Sequence, residues 1–160
     1  IMKALVIYDS FFGNTEMVAK AIATTLATKL DVSIAKADQV EPQQLSGLDL
    51  LVVGSPTRAF NPSPNTKSFI KGLSPLTGVK VVVFDTRLPV EEANSKVLVF
   101  LVKLFGYAAE KMLKGLQKKG GQALLPADWF VVKDSEGPLK DGELERAAAW
   151  AGSMLAALGD

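Results

Sequence analysis

The run Val6-Ile7-Tyr8-Asp9-Ser10-Phe11-Phe12-Gly13-Asn14-Thr15-Glu16-Met17-Val18-Ala19-Lys20-Ala21-Ile22 decides the fold. It opens in a short apolar strand and closes in a helix, because Val18, Ile22, Leu26 and Leu30 recur every fourth position. Between the two lies Asp9 to Thr15. A loop at a helix start exposes backbone N–H groups that have no partner inside the helix. The helix dipole adds partial positive charge, so a phosphate is favoured there without a lysine or arginine. The hydroxyls of Ser10 and Thr15 and the amide of Asn14 can donate further bonds. Gly13 permits close backbone approach or a positive φ. The plainer alternative is a helix after a tight turn, with Asn14 as its N-cap.

Outward from this run, strand-length apolar segments recur at residues 4–8, 32–35, 48–54 and 79–85, with a fifth at 123–125 continuing at 129–132. Leu50-Leu51-Val52-Val53 and Val81-Val82-Val83-Phe84 are continuous rather than alternating, as expected of strands covered on both faces. Helical stripes lie between them. Phe69, Ile70 and Leu73 mark a third helix, and Leu144, Ala148, Ala151, Leu155 and Leu158 mark the last. The second helix, near Gln43 to Leu45, is very short. This alternation implies a parallel sheet with right-handed crossovers in one α/β domain spanning 1–160. Ligands of such sheets sit beyond the carboxyl ends of the strands. The loops to watch are therefore 9–15, 55–64, 85–89 and 133–138.

Composition excludes several chemistries. The chain has 160 residues, a net charge of +1, no cysteine and no histidine. Thiol nucleophiles, disulfides, His-based proton transfer and the commonest metal ligands are therefore absent. The near-zero charge gives no reason to expect nucleic acid. Residues 2–8 read as a strand rather than a secretory leader. The most apolar stretch, 97–109, is too short to span a bilayer, so the expectation is a cytoplasmic protein. There is no P-loop and no Gly-x-Gly-x-x-Gly. A phospho-acceptor receiver needs an acidic pair after strand one and an aspartate after strand three. Here Asp9 stands alone and strand three ends in Gly54-Ser55.

The opening run resembles the flavodoxin signature: an apolar pair, an aromatic, a spaced Ser/Thr, then Gly-Asn-Thr. The resemblance implies a three-layer, doubly wound, five-stranded parallel sheet in the order 2-1-3-4-5. It implies flavin mononucleotide (FMN) as cofactor, with the phosphate held by Ser10, Phe11, Phe12, Gly13, Asn14 and Thr15. The family often has Thr where Phe12 stands, which removes one hydroxyl. Strand three ends in Gly54-Ser55-Pro56-Thr57-Arg58-Ala59-Phe60, where flavodoxins place the flavin ring. Pro56, Thr57, Arg58, Ala59 and Phe60 are carried over on that basis. The Pro-Thr-Arg run is similar to flavodoxin-like quinone reductases. Many flavodoxins have glycine near Ala59, whose peptide turns over on reduction. Alanine makes that turn costlier by roughly 1 kcal/mol. Strand four ends in Asp85, Thr86 and Arg87, which are carried over to the pyrimidine edge. The glycine and stacking aromatic usual in that loop are missing. Asp85 and Arg87 pairing with each other is the equal alternative.

Two functions remain. One is a non-enzymatic electron carrier that meets a redox partner protein. The other is an NAD(P)H-dependent quinone or FMN oxidoreductase using bound FMN. A third, weaker reading is a member that has lost its flavin. The run 96–107 is apolar around its circumference, which one sheet face cannot bury. It is expected either to lie deep under the preceding loop or to form a contact for a partner, a quinone or a homodimer through 97–109. Lys111, Lys114 and Lys118 share one helical face and are expected to be solvated, with an acidic docking partner as the alternative.

Overall fold

The computed structural model describes residues 1–88 and 95–159. The strands are β1 (Lys3–Tyr8), β2 (Asp31–Lys36), β3 (Leu50–Pro56), β4 (Lys80–Arg87), β5 (Gln122–Ala123) and β6 (Asp128–Val131). The helices are α1 (Asn14–Leu26), α2 (Pro42–Leu45), α3 (Pro64–Lys71), α4 (Lys96–Phe105), α5 (Ala108–Lys118) and α6 (Glu143–Leu158). All strand pairs are parallel, in the order β2-β1-β3-β4-β5, with β6 also on β4. The expected order is therefore observed.

The fifth strand differs from expectation. It is two short strands sharing one edge of β4. β5 pairs with Lys80 and Val81, and β6 with Phe84 to Arg87. Pro126 lies between them and cannot donate to a ladder.

Alternate side chains of each central strand enter opposite layers. Ala4, Val6, Val52, Val82 and Phe84 pack with Val18, Ile22, Ala147, Ala151 and Met154 of α1 and α6. Leu5, Ile7, Val53, Val81 and Val83 pack with Ile70, Met112 and Leu116 on the α3–α5 side. The buried stripe of α6 is Ala147-Ala151-Met154, one step off the expected one, whose leucines flank it half-buried. α1 stops at Leu26, so Leu30 packs from beyond its end. The Phe84 ring lies across Gly54 on the neighbouring strand. A Cβ there would meet the ring's Cζ at 2.0 Å.

The long apolar run is not buried. It breaks into α4 and α5 at Gly106, which adopts φ 74. Of α4 only Val102 is buried, while Val97, Phe100 and Leu104 are each more than 60% exposed. Deeper burial is thus overturned for the described residues. Residues 89–94, through which the 85–97 loop would reach a flavin, lie outside them.

Candidate functional site

The carboxyl ends of β1, β3 and β4 open into a cleft of about 430 Å³. Ser10, Phe11, Phe12, Asn14 and Thr15 form one wall, and Pro56, Thr57 and Arg58 another. Thr86, Arg87 and Leu88 form the floor, and Val132, Ser135 and Glu136 the far rim.

The first wall is built around Gly13, which caps α1 at φ 91. Its N–H donates to Ser10 Oγ at 3.0 Å, and the Ser10 N–H donates to Asp9 Oδ1 at 3.0 Å. The first helical bond runs from the Met17 N–H to the Gly13 carbonyl. Among the described residues, the N–H groups of Phe11, Phe12, Asn14, Thr15 and Glu16 have no acceptor. Asn14 is not the N-cap. Its side chain donates instead to the Glu136 carbonyl at 3.1 Å, holding the β6–α6 loop against the cleft. Thr15 is buried and shares a 2.7 Å hydroxyl bond with Thr86, locking the start of α1 to the end of β4.

The second wall is less uniform. The Thr57 N–H donates to the Thr86 carbonyl, and its hydroxyl accepts from the Ala108 N–H at 3.1 Å, so that hydroxyl serves α5. Arg58 places its guanidinium carbon 4.8 Å from the Phe11 ring centroid and 5.6 Å from that of Phe12. The first loop itself carries no lysine or arginine; Arg58 brings a cation to it across the cleft. Arg58 and Asn61 exchange two backbone bonds around Ala59 (φ 49) and Phe60 (φ 66). Ala59 therefore carries positive φ already, and the cost assigned to turning it later is borne in this conformation. Ala59 and Phe60 do not line the cleft. They face a smaller hollow of about 170 Å³ under α4, and Phe60 packs on Phe105.

On the floor, Arg87 forks onto Asp85 with two bonds of 2.7 Å. Asp85 is wholly buried and also accepts from the Ala109 N–H, so it does not reach the cleft. The pairing alternative holds here. Burial raises the Asp85 pKa, against the opposing pull of Arg87. Arg87 lies between the rings of Tyr107 and Trp129, at 3.5 and 4.6 Å from their centroids. Trp129 is held in turn by the start of α6. Glu143 accepts from the Val131 N–H, while Arg146 bridges Glu143, Asp128 and the Trp129 carbonyl.

Sequence reasoning missed Tyr107, Trp129 and Glu136. The loop carrying Glu136 was marked, but no pattern singled that residue out. Lys111 was also misjudged as solvated. It is half-buried and donates to the Phe60 carbonyl at 2.6 Å.

A family model for the flavodoxin domain matches residues 5–128. The chain belongs to the flavodoxin family. No curated protein matches it. Solved flavodoxins share its fold. One from the domain Archaea is 20% identical with a TM-score of 0.75, over 96% of each chain. Oxidised flavodoxin 2 from Bacillus cereus is 20% identical with a TM-score of 0.69, over 95% of this chain and 97% of its own. Two-electron reduced flavodoxin from Megasphaera elsdenii is 18% identical with a TM-score of 0.66, over 94% and 98%. Among the described residues, no helix of this flavodoxin is long and apolar enough to cross a membrane.

Proposed function

We propose that this flavodoxin binds FMN in the cleft and carries electrons. The observation that supports this most is the set of unpaired N–H groups around Gly13, converging at the amino end of α1. A terminal phosphate fits them: each N–H needs an acceptor, and the dipole favours an anion. The Ser10 hydroxyl is free to donate as well, since its oxygen already accepts from Gly13. The cleft volume lies within the range of small-cofactor sites.

When bound, the isoalloxazine would supply the electron chemistry. The chain's part is to hold and shield. Residues 10–15 would take the phosphate. Pro56, Thr57 and Arg58 would line one side of the ring, with Thr86 and Arg87 beneath. Arg58 would screen the phosphate charge and keep the Phe11 and Phe12 rings in place. Ala59, Phe60 and Asp85 act indirectly, the first two by shaping the turn and Asp85 by fixing Arg87.

α4 covers the hollow beside this cleft, which shares Thr57, Arg87 and Leu88 with it, and turns an exposed apolar face outward. A redox partner protein, a small quinone or NAD(P)H would approach over it, or a second copy would pack there through 97–109. Sedimentation velocity separates the last case from the others. We place the protein in the cytoplasm, and fractionation of the native host tests that.

The deciding experiment is titration of FMN with apoprotein, followed by quenching of flavin fluorescence. Stoichiometric one-to-one quenching is expected. Absence of binding at micromolar concentrations leaves the fold standing and removes the function.

A further inference from the structure

A second concave surface, sharing no lining residue with the cleft, lies between α3 and α5. It encloses about 370 Å³. Lys67 and Lys71 of α3 line one side, and Lys111, Lys118 and Lys119 line the other. Its floor is apolar, with Ile70 and Met112 among its residues. Among the described residues, no aspartate or glutamate lines it. Glu110, the one carboxylate on these two helices, accepts from the Tyr107 N–H at the start of α5.

Two of the lysines are committed. Lys111 holds Phe60 and Asn61, and Lys119 donates to the carbonyls of Lys71 and Leu73. Lys67, Lys71 and Lys118 are exposed, and among the described residues their ammonium groups have no acceptor. Clustered exposed lysines over an apolar floor attract an opposite charge, most strongly at low salt. In keeping with this crowding, the Lys111 pKa is lowered, first by burial and then by Lys67.

The apolar floor distinguishes between anions. Lys67 and Lys71 stand about 6 Å apart in rise along α3, facing Lys118 of α5. A small polyphosphate has no apolar part to cover the floor. Carboxylates spaced along a peptide, with apolar side chains between them, match both rows and the floor. We propose that this groove docks an acidic, partly apolar segment of a partner protein. Its upper end abuts Asn61 and Pro62, in the turn that carries Arg58 to the cleft, so the docked partner lies beside the cleft rim.

The test is a nitrogen–proton NMR titration of the full chain with a synthetic peptide of alternating glutamate and leucine. It is run with and without FMN, because the proposal does not depend on the cleft being filled. Amide shifts confined to α3 and α5, with affinity falling severalfold as salt rises from about 20 to 200 mM, are expected. Lys67→Glu with Lys118→Glu should weaken binding about tenfold at unchanged melting temperature. The milder pair Lys67→Gln with Lys118→Gln should give a smaller loss in the same direction. No shifts at millimolar peptide, shifts elsewhere, or displacement of the peptide by inorganic tripolyphosphate at lower concentration would overturn the proposal.

Discussion

Arg87 grips Asp85 through both Nε and Nη2, at 2.7 Å each, and the carboxylate so held has no exposure to solvent. The pair sits directly beneath the cleft, and the stacked rings of Tyr107 and Trp129 leave Arg87 little freedom. Asp85→Asn would leave a desolvated guanidinium without its counter-charge. The expected loss is about 3–5 kcal/mol by urea denaturation. Asp85→Leu combined with Arg87→Met should recover part of it, because an apolar pair has no charge to desolvate, although the Ala109 N–H loses its acceptor. A loss below about 1 kcal/mol for the single change would refute the buried-pair argument.

Arg58 should contribute to FMN affinity. An exposed cation facing the phosphate end of the cleft contributes up to roughly 1 kcal/mol, which converts to an up to about fivefold weaker dissociation constant in Arg58→Gln. Fluorescence titration of both proteins at one ionic strength reads this. Equal affinities would mean that the stack is incidental to the cofactor.

Acid should loosen the β6–α6 corner. Burial pushes the Glu143 pKa up, but the Arg146 bond and the Val131 N–H together bring it below its ordinary value of 4.5. The unfolded chain therefore binds this proton more readily. The resulting stability is fully present above that ordinary value and is lost as pH falls through the lower folded one. Thermal melts of the wild type and Glu143→Gln should converge as pH drops below 4.5 and differ by a constant amount near neutrality. Curves that stay parallel into acid would rule this out.

FMN-loaded protein should keep its oxidised absorbance when mixed anaerobically with NADPH, and lose it with dithionite. The cleft is the size of one cofactor, and the adjoining hollow of about 170 Å³ is too small for a second nucleotide within a single chain. Bleaching within seconds would instead favour the oxidoreductase alternative.

The sheet was legible because β1, β3 and β4 carry uninterrupted apolar runs, and the first loop because Gly13 interrupts the pattern between strand and helix. The α6 stripe was misplaced by one step. Apolar residues fill most of that helix, so periodicity alone could not choose the buried face. The break at Gly106 was harder to see, since the apolar run continues through it. Side-chain commitments across the fold left no trace in the sequence. Lys111 serves a carbonyl 51 positions away, and Asn14 one 122 positions away. Trp129 gave no signal either, because its partner Arg87 comes from a different strand.

The ring of Phe84 lying over Gly54 couples two positions across the sheet. With no room for a Cβ at 54, any replacement there requires a smaller residue at 84, which in turn empties the space where Phe130 and Trp150 both meet that ring edge-on. Drift in this core would therefore proceed by concerted exchange rather than by single steps. A lineage that lost the glycine would be recognisable by a changed aromatic trio, however far its surface had diverged.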